Sequence, residues 1–229
     1  MPYTFRFGPV WSHFDEILAG MALTIVISAT VIAIGSLVGI FGAMSLRSRS
    51  KFAHHTVRAY VEAVRNTPLL AQIFFFYFGL PGLGLKLSGP TAALIALVVN
   101  LGAYTTEIVR GGLDVVPHGQ MEAAWALGLT RAQTFFLVVL KQALKIMFPA
   151  LASQFTLIML STSIVSQIGV VDLFYVAGHI DSLTYRSFEV YLVVCGIYLC
   201  LAVAMRAGFA ALYWGLFSEQ EPHVVVGVP

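Results

Sequence analysis

The stretch Ile17–Met44, ILAGMALTIVISATVIAIGSLVGIFGAM, contains no charged residue in 28 positions. A helix of about 20 apolar residues is long enough to cross the roughly 30 Å hydrocarbon core of a bilayer. The stretch is also far too long for the apolar segment of a cleavable signal peptide. It therefore predicts a membrane-spanning helix.

The composition of the whole chain agrees with a membrane protein. Of its 229 residues, 59% are hydrophobic and 10% are charged, whereas a soluble domain has about 25% charged residues. The net charge is only +2, and no basic stripe alternates with aromatic residues, so the sequence gives no support for nucleic-acid binding. Cys195 and Cys200 lie in an apolar run, which indicates small buried side chains rather than a disulfide framework or a metal site.

Four further apolar runs are long enough to span a bilayer. They lie at about Val57–Leu80, Pro90–Val109, Leu144–Val165 and Val190–Phe217. A helix is the open-ended structure that pairs all of its backbone groups in lipid. We therefore predict an all-α membrane protein with five transmembrane helices, in which residues 1–229 form a single transmembrane domain.

The distribution of Lys and Arg predicts the orientation of these spans. Basic residues are concentrated in the first and third connections and are sparse on the opposite side. The two basic connections carry Arg47, Arg49, Lys51 and Arg58, and Arg110, Arg131, Lys141 and Lys145. The N-terminus is therefore predicted to be outside and the C-terminus inside. The outer connection 167–187 is expected either to dip into the membrane or to lie on its surface.

Polar side chains recur at helical spacing inside three of the predicted spans. The candidates for a substrate path are Gln72, Asn100, Tyr104, Gln154 and Thr156. Such stripes are typical of a water-accessible cavity, but hydrogen bonds that only hold a helix bundle together give the same pattern. The charged residues near the inner ends of two spans are expected to pair with each other or with lipid headgroups rather than to contact substrate; these are Glu62, Arg65, Glu107 and Arg110.

The longest polar interruption, at about 113–143, is predicted to lie on the cytoplasmic surface. Glu122–Leu127 has good helix propensity, Gly128 is expected to end that helix, and Thr130 is expected to begin the next one. A short helix held at the tip of a loop could insert into a groove of another protein. An interfacial amphipathic helix without a partner is the alternative.

This interruption resembles the "EAA" loop of ABC importer permeases, whose pattern is Glu-Ala-Ala-x3-Gly-x9-Ile-x-Leu-Pro. The residues that match are Glu122, Ala123, Ala124, Gly128 and Leu140, with Val138 in place of Ile. Lys141 stands where the family has proline.

Further motifs are similar to those of the polar amino acid permeases, which carry histidine, glutamate, glutamine, arginine or opines. Residues 65–72, RNTPLLAQ, resemble RGTPLLVQ, and residues 103–112, AYTTEIVRGG, resemble AYxAEIxRGG. Residues 162–173 resemble a third motif, KDTSLxSxIGxxEL, through Thr162-Ser163, Ile168-Gly169 and Asp172-Leu173. In this motif Leu160 and Ser161 replace the Lys-Asp pair. The matches cover most of residues 60–190.

The resemblance implies a type I ABC importer permease fold in the bacterial cytoplasmic (inner) membrane. It also implies three kinds of protein partner: an ABC ATPase dimer, a second permease that is identical or homologous, and a periplasmic or lipid-anchored amino acid binding protein. Glu122, Ala123, Ala124 and Gly128 would form the surface that couples to the ATPase, which would hold ATP and Mg²⁺.

The sequence itself carries no phosphate-binding loop, since none of its four lysines follows a glycine. We therefore expect no cofactor, metal or catalytic residue in this chain, and hydrolysis in a separate polypeptide. The alternative function is a secondary transporter or channel subunit for a small polar solute, but no internal repeat supports it. A membrane enzyme is less favoured, because the histidines show no metal-binding spacing.

Overall fold

The computed structural model describes residues 3–217, and the regular structure in that range is helical. We number the helices in chain order. They are α1 Gly8–Trp11, α2 Phe14–Leu46, α3 Lys51–Arg65, α4 Leu69–Phe74, α5 Gly89–Asp114, α6 His118–Ala126, α7 Arg131–Thr134, α8 Leu140–Ser161, α9 Leu173–Thr184 and α10 Ser187–Phe217.

Four helical segments are long and apolar enough to cross a membrane. They are Phe14–Leu46, Gly89–Asp114, Arg131–Ile168 and Ser187–Phe217. The third joins α7, a π-helical turn at Phe135–Val139, α8 and a 3₁₀ turn at Thr162–Ile168. These segments contain four of the five predicted spans, so an all-helical, multi-pass membrane protein is confirmed.

The second predicted span, Val57–Leu80, is not one continuous helix. Helix α3 ends at Arg65, and Pro68 is extended, with ψ 138°. Proline has no N–H to donate and disfavours helical geometry in the residue before it. The apolar helix that follows, Leu69–Leu83, is shorter than a full span. The predicted span includes this break because apolar residues lie on both sides of Pro68.

Helix α5 is longer than predicted. Gly111 and Gly112 were expected to end it, but the helix continues to Asp114. A Cβ on Gly112 would lie 2.9 Å from Cβ of Met147 on α8. Gly112 therefore serves the close approach of two helices rather than helix termination.

Glycines on α2 also permit close packing, as the Gly35–Gly39 spacing predicts. A Cβ added to Gly39 would lie only 2.4 Å from Cβ of Thr105 on α5, and one on Gly42 would lie 2.3 Å from Oγ1 of Thr106. The α2–α5 pair thus forms the centre of the bundle, where Leu97 and Leu101 are fully buried.

The bundle has two ends, which we name after the short helices that lie there. At the α9 end, α9 packs on the start of α2, and its buried face joins Ile17 and Val190 in one apolar cluster. The connection 167–187 is therefore largely helical. At the α6 end, α2 and α5 terminate and α6 connects α5 to α7.

Candidate functional site

Helix α6 ends in the way that the sequence predicts. The Gly128 N–H donates to the Trp125 carbonyl at 2.9 Å, and the Leu129 N–H donates to the Ala124 carbonyl at 3.1 Å. This pair of bonds closes the helix with a left-handed residue, and Gly128 has φ +84°. Any side chain at this position would strain the backbone, which explains the glycine in physical terms.

The chain restarts as a helix two residues later. The Thr130 hydroxyl accepts from the Gln133 N–H, and the Gln133 side chain accepts from the Thr130 N–H at 2.9 Å. This reciprocal capping box satisfies donors that a helix start leaves free. The predicted N-cap at Thr130 is therefore confirmed, and the corner between α6 and α7 is hydrogen-bonded on both sides.

The predicted coupling residues lie on this corner, which is buried on one side and exposed to the surroundings on the other. Ala124 is buried, whereas Glu122, Ala123 and Gly128 are exposed. The side chain of Leu127 is 84% exposed beside them. The structure therefore presents these residues on a short helix whose outer surface is partly apolar.

A polar contact that the sequence analysis did not anticipate ties this helix to the fourth predicted span. The Gln142 Nε2 on α8 donates to Oε1 of Gln120 on α6 at 2.6 Å. Beneath it, Val116, Val139 and Ala143 form part of a buried apolar cluster. Gln120 lies two residues before Glu122 of the Glu-Ala-Ala-x3-Gly pattern, and this proximity was the available signal.

Lys141 does not interrupt the helix. The segment remains helical from Arg131 to Ile168, and Pro149 lies inside α8. A π-helical turn at Phe135–Val139 comes directly before Lys141. The helix thus continues from the corner at Gly128 through the membrane-spanning segment.

Gln72 and Asn100, two of the substrate-path candidates, are buried and bonded to each other. Asn100 Nδ2 donates to Gln72 Oε1 at 3.0 Å. Gln72 Nε2 donates to the Val64 carbonyl at 2.8 Å and to the Thr67 hydroxyl at 2.9 Å. Gln72 therefore adds side-chain hydrogen bonds to the backbone at the break before Pro68, and it links that break to α5.

Tyr104, the third candidate, lines a charged cavity of about 590 Å³ near the α6 end. The Arg65 guanidinium lies over its ring, 5.4 Å from the centroid. Arg65 is also 3.7 Å from Glu107, which accepts from Arg110 at 2.8 Å. The Arg65–Glu107 pair joins α3 to α5. Glu62 pairs with Arg58 at 2.9 Å rather than with Arg65.

The last two candidates lie on α8. Thr156 is buried, and its hydroxyl donates to the Ala152 carbonyl of the same helix at 2.9 Å. Gln154 is half-buried on that helix. Within this chain, Gln72 and Asn100 meet, whereas Tyr104 faces the charged cavity. A substrate path along these five residues stays a prediction.

One charged residue inside a predicted span was overlooked. Arg206 lies in α10, is exposed, and lines a cavity of about 390 Å³ between α8 and α10. An isolated charge in an apolar run is itself a signal of function. Because Val190–Phe217 is otherwise apolar, Arg206 was not included among the candidate site residues.

Comparison with known proteins agrees with the motif pattern. Residues 32–214 match the family of binding-protein-dependent transport system inner membrane components. The chain is 36% identical to an octopine transport system permease protein of Rhizobium meliloti, covering 93% of this chain and 90% of the relative. It is 35% identical to a probable glutamine ABC transporter permease protein of Bacillus subtilis, covering 87% and 92%.

Solved structures show the same fold. A crystal structure of an amino acid ABC transporter with histidines matches with a TM-score of 0.86 at 34% identity, covering 92% of this chain and 99% of that one. The MetNI methionine ABC transporter, at 19% identity, matches in fold with a TM-score of 0.67 over 93% of this chain and 99% of that one. The chain therefore belongs to the family of binding-protein-dependent transport system inner membrane components, the permease subunits of ABC importers.

Proposed function

We propose that this permease subunit imports a polar amino acid, using ATP hydrolysis in a partner protein. The observation that carries this proposal is the exposed corner at residues 122–128, which is anchored to the membrane-spanning helices and matches the family's coupling motif. The relatives that transport octopine and glutamine support the substrate class.

The proposed assembly contains an ABC ATPase dimer that holds ATP and Mg²⁺, a second permease and an amino acid binding protein. The second permease is either a copy of this chain or a homologue. The chain would lie in the bacterial inner membrane with five crossings, its N-terminus outside and its C-terminus inside. In that orientation the α6 end faces the ATPase in the cytoplasm.

The contacts of α6 suggest how motion would reach the membrane. Closure of the ATPase dimer would move the corner at Gly128. The Gln120–Gln142 hydrogen bond and the apolar cluster beneath it would pass this motion to α8. Because the helix from Arg131 to Ile168 has no non-helical break, it would move as one lever and switch the permease between inward-facing and outward-facing forms.

The main test uses Gly128→Val in the assembled transporter. A β-branched residue at φ +84° costs about 1–2 kcal/mol or more locally, and it adds bulk to the docking surface. We expect normal membrane insertion, retained ATP hydrolysis and loss of solute uptake by tenfold or more. Gly111→Val is the matched control, since Gly111 has no positive φ and a Cβ there meets open space.

Wild-type uptake by Gly128→Val would contradict the coupling role. Copurification of an ATPase with the wild-type chain separates this proposal from a secondary transporter or channel. If no ATPase is retained and uptake follows an ion gradient instead, the alternative function is correct.

The orientation has its own test. Single cysteines at Ser48 and Ser88, in a background without Cys195 and Cys200, lie near opposite ends of the bundle. An impermeant thiol reagent added to intact cells should label position 88 and not position 48. Labelling with the reverse pattern would invert the proposed topology.

A further inference from the structure

The groove between α8 and α10 has an uncommon combination of charge and aromatic lining. Its cavity of about 390 Å³ is lined by Arg206, Ser153, Phe148, Tyr213 and Trp214, among others. Phe148 contacts Tyr213 with ring centroids 5.8 Å apart, so the floor of the groove is packed aromatic surface. The groove therefore combines aromatic surface with one guanidinium and a few hydroxyl and indole groups.

Arg206 has no carboxylate partner among residues 3–217. The ion pairs of that range involve other arginines. Apart from Glu189 at the start of the helix, Arg206 is also the only charged residue of α10. A charge in a span needs a counter-charge or a route to water, and the described part of the chain supplies no counter-charge.

Two lysines extend this positive charge along α8. Lys145 and Lys141 precede Phe148 by three and seven residues, so helical spacing puts all three on one face. They lie progressively nearer the α6 end, and no ion pair is formed by either within residues 3–217. The groove itself is lined by one cation, Arg206, and the two lysines continue the Phe148 face of α8 beyond the groove.

Depth along the helix favours a membrane-surface ligand. Arg206 precedes Trp214 by eight residues, or about 12 Å of helix rise, and Trp214 is largely exposed. Trp and Tyr concentrate at headgroup level, while a long cationic side chain extends from deeper positions toward that level. Arg206 can therefore extend from deeper in the membrane toward the headgroup layer marked by Tyr213 and Trp214. The two lysines lie on the other side of these aromatic residues, nearer the α6 end.

From these observations we propose that the α8–α10 groove binds the headgroup phosphate of an anionic phospholipid. Arg206 contacts the phosphate, Lys145 adds positive charge nearer the α6 end, and the aromatic walls pack against the glycerol and the first part of the acyl chains. Basic pockets between membrane helices on the cytoplasmic side suit such lipids. The assignment to the inner leaflet rests on the orientation proposed above, whereas the lipid class does not.

The proposal gives Lys141 a role. At this position the family pattern has proline, whereas in the structure the helix continues through Lys141, which forms no ion pair within residues 3–217. A cation at the inner end of the groove adds to the attraction for an anionic headgroup.

The test uses the purified, delipidated transporter with all its subunits. Phosphatidylglycerol or phosphatidylcholine is added, and bound lipid is counted by native mass spectrometry while thermal stability is followed in parallel. We expect wild type to retain at least one phosphatidylglycerol per permease chain and to prefer it to phosphatidylcholine. Arg206→Gln should weaken phosphatidylglycerol binding about fivefold, Arg206→Lys less, and Lys145→Gln by a comparable or smaller factor.

Arg49→Gln is the matched control, because Arg49 is an exposed cation at the same end of the bundle but outside the groove. It should leave lipid retention unchanged. Equal phosphatidylglycerol retention by wild type and Arg206→Gln would overturn the proposal, as would a wild-type protein without preference for the anionic lipid. If Arg206→Gln does not fold, the preference of the wild-type protein for phosphatidylglycerol over phosphatidylcholine still tests the proposal.

Two other results would assign the groove to a different occupant and would also overturn the proposal. Cross-linking through a cysteine at Trp214 to a second permease would show that a subunit covers it. Displacement of the bound lipid by the transported solute would place Arg206 in the substrate path. Lipid retention is measured without any uptake assay. A failure of the lipid-binding proposal can therefore be distinguished from a failure of the proposed transport function.

Discussion

The two ends of this bundle use charged residues in opposite ways. At the α9 end, Asp172 and Glu189 are both 0% exposed. At the α6 end, the side chains of Arg110 and Asp114 are 41% and 48% exposed, although they form an ion pair at 3.1 Å. The α9 end buries two of its carboxylates within the chain, whereas the α6 end keeps this ion pair close to the surface.

The partners of the buried carboxylates show what the α9 end does. Asp172 caps α9 by accepting from the Tyr175 N–H at 2.8 Å, and its other oxygen accepts from the Tyr198 hydroxyl at 3.1 Å. Glu189 accepts from the Tyr3 hydroxyl and from the Arg6 N–H at 2.9 Å. These bonds connect segments that are far apart in sequence, so the chain closes this end by itself.

The α6 end is closed less completely. Its ion pairs join α2, α3 and α5, but α6 leaves Leu127 and Trp125 exposed to the surroundings. Buried, hydrogen-bonded groups resist change, whereas exposed apolar groups are available for a partner. The difference is consistent with a rigid α9 end and an α6 end that receives motion from a partner. Four measurements test whether the two ends differ in this way.

The largest effect is expected from Asp172→Ala. The substitution removes the cap of α9 and leaves the Tyr198 hydroxyl without its acceptor, which should lower the free energy of unfolding by about 2–4 kcal/mol. Thermal or denaturant unfolding of the purified protein measures this. Asp15→Ala is the control, because Asp15 is exposed in the first turn of α2, and its cost should stay below about 0.5 kcal/mol.

A smaller, pH-dependent effect separates the charge of Asp172 from its hydrogen bonds. Burial raises the pKa of the Asp172 carboxyl, although bonds from the Tyr175 and Phe174 backbone partly oppose the shift. Stability from this group is therefore fully present below the unfolded pKa and is lost as pH rises through the higher folded pKa.

Asp172→Asn should remove that pH dependence while keeping the cap, since asparagine also accepts at an N-cap. The measurement is the difference in unfolding free energy between wild type and variant across the acidic range. A difference that does not change with pH would show that the carboxyl is not desolvated as described.

An intermediate effect is expected at the α6 end from the Gln120–Gln142 contact. A double-mutant cycle with both residues changed to alanine should give a coupling energy of about 0.5–1.5 kcal/mol. If this contact transmits motion, each single variant should also reduce uptake more than it reduces ATP hydrolysis. Equal reduction of both activities would assign the contact to stability alone.

The smallest effect is expected from Asp114→Asn. This change weakens the Arg47–Asp114 pair at 2.7 Å and the Arg110–Asp114 pair, but exposed pairs contribute no more than about 1 kcal/mol. Added salt should reduce the difference from wild type further. A loss as large as that of Asp172→Ala would show that the two ends do not differ in the proposed way.

Several features of the site could be predicted because they are local in the chain. The end of helix α6 at Gly128 and the beginning of helix α7 after Thr130 follow from backbone geometry and capping within a few residues. The ion pair between Glu107 and Arg110 follows from helical spacing. The glycines of α2 indicated close packing, although the partner residues on α5 were not predictable.

Other features escaped prediction for identifiable reasons. The break at Pro68 was visible in the sequence, but the apolar residues on both sides masked it. The bond between Gln72 and Asn100 joins positions on different helices, so spacing along one helix could not reveal it. For the same reason the sequence could not distinguish a polar stripe that lines a path from one that closes a helix break.

By itself, the sequence determined the membrane class, the all-helical fold and the turn at Gly128 between α6 and α7. These features depend on contiguous residues. The length of an apolar run and the capping of a helix are local, and a helix pairs its own backbone groups in lipid. Tertiary structure alone decided which carboxylates are buried, how α6 is tied to α8 through Gln120 and Gln142, and where Arg206 faces. Those outcomes depend on how separate helices pack, because burial and the supply of hydrogen-bond partners arise only when distant segments meet.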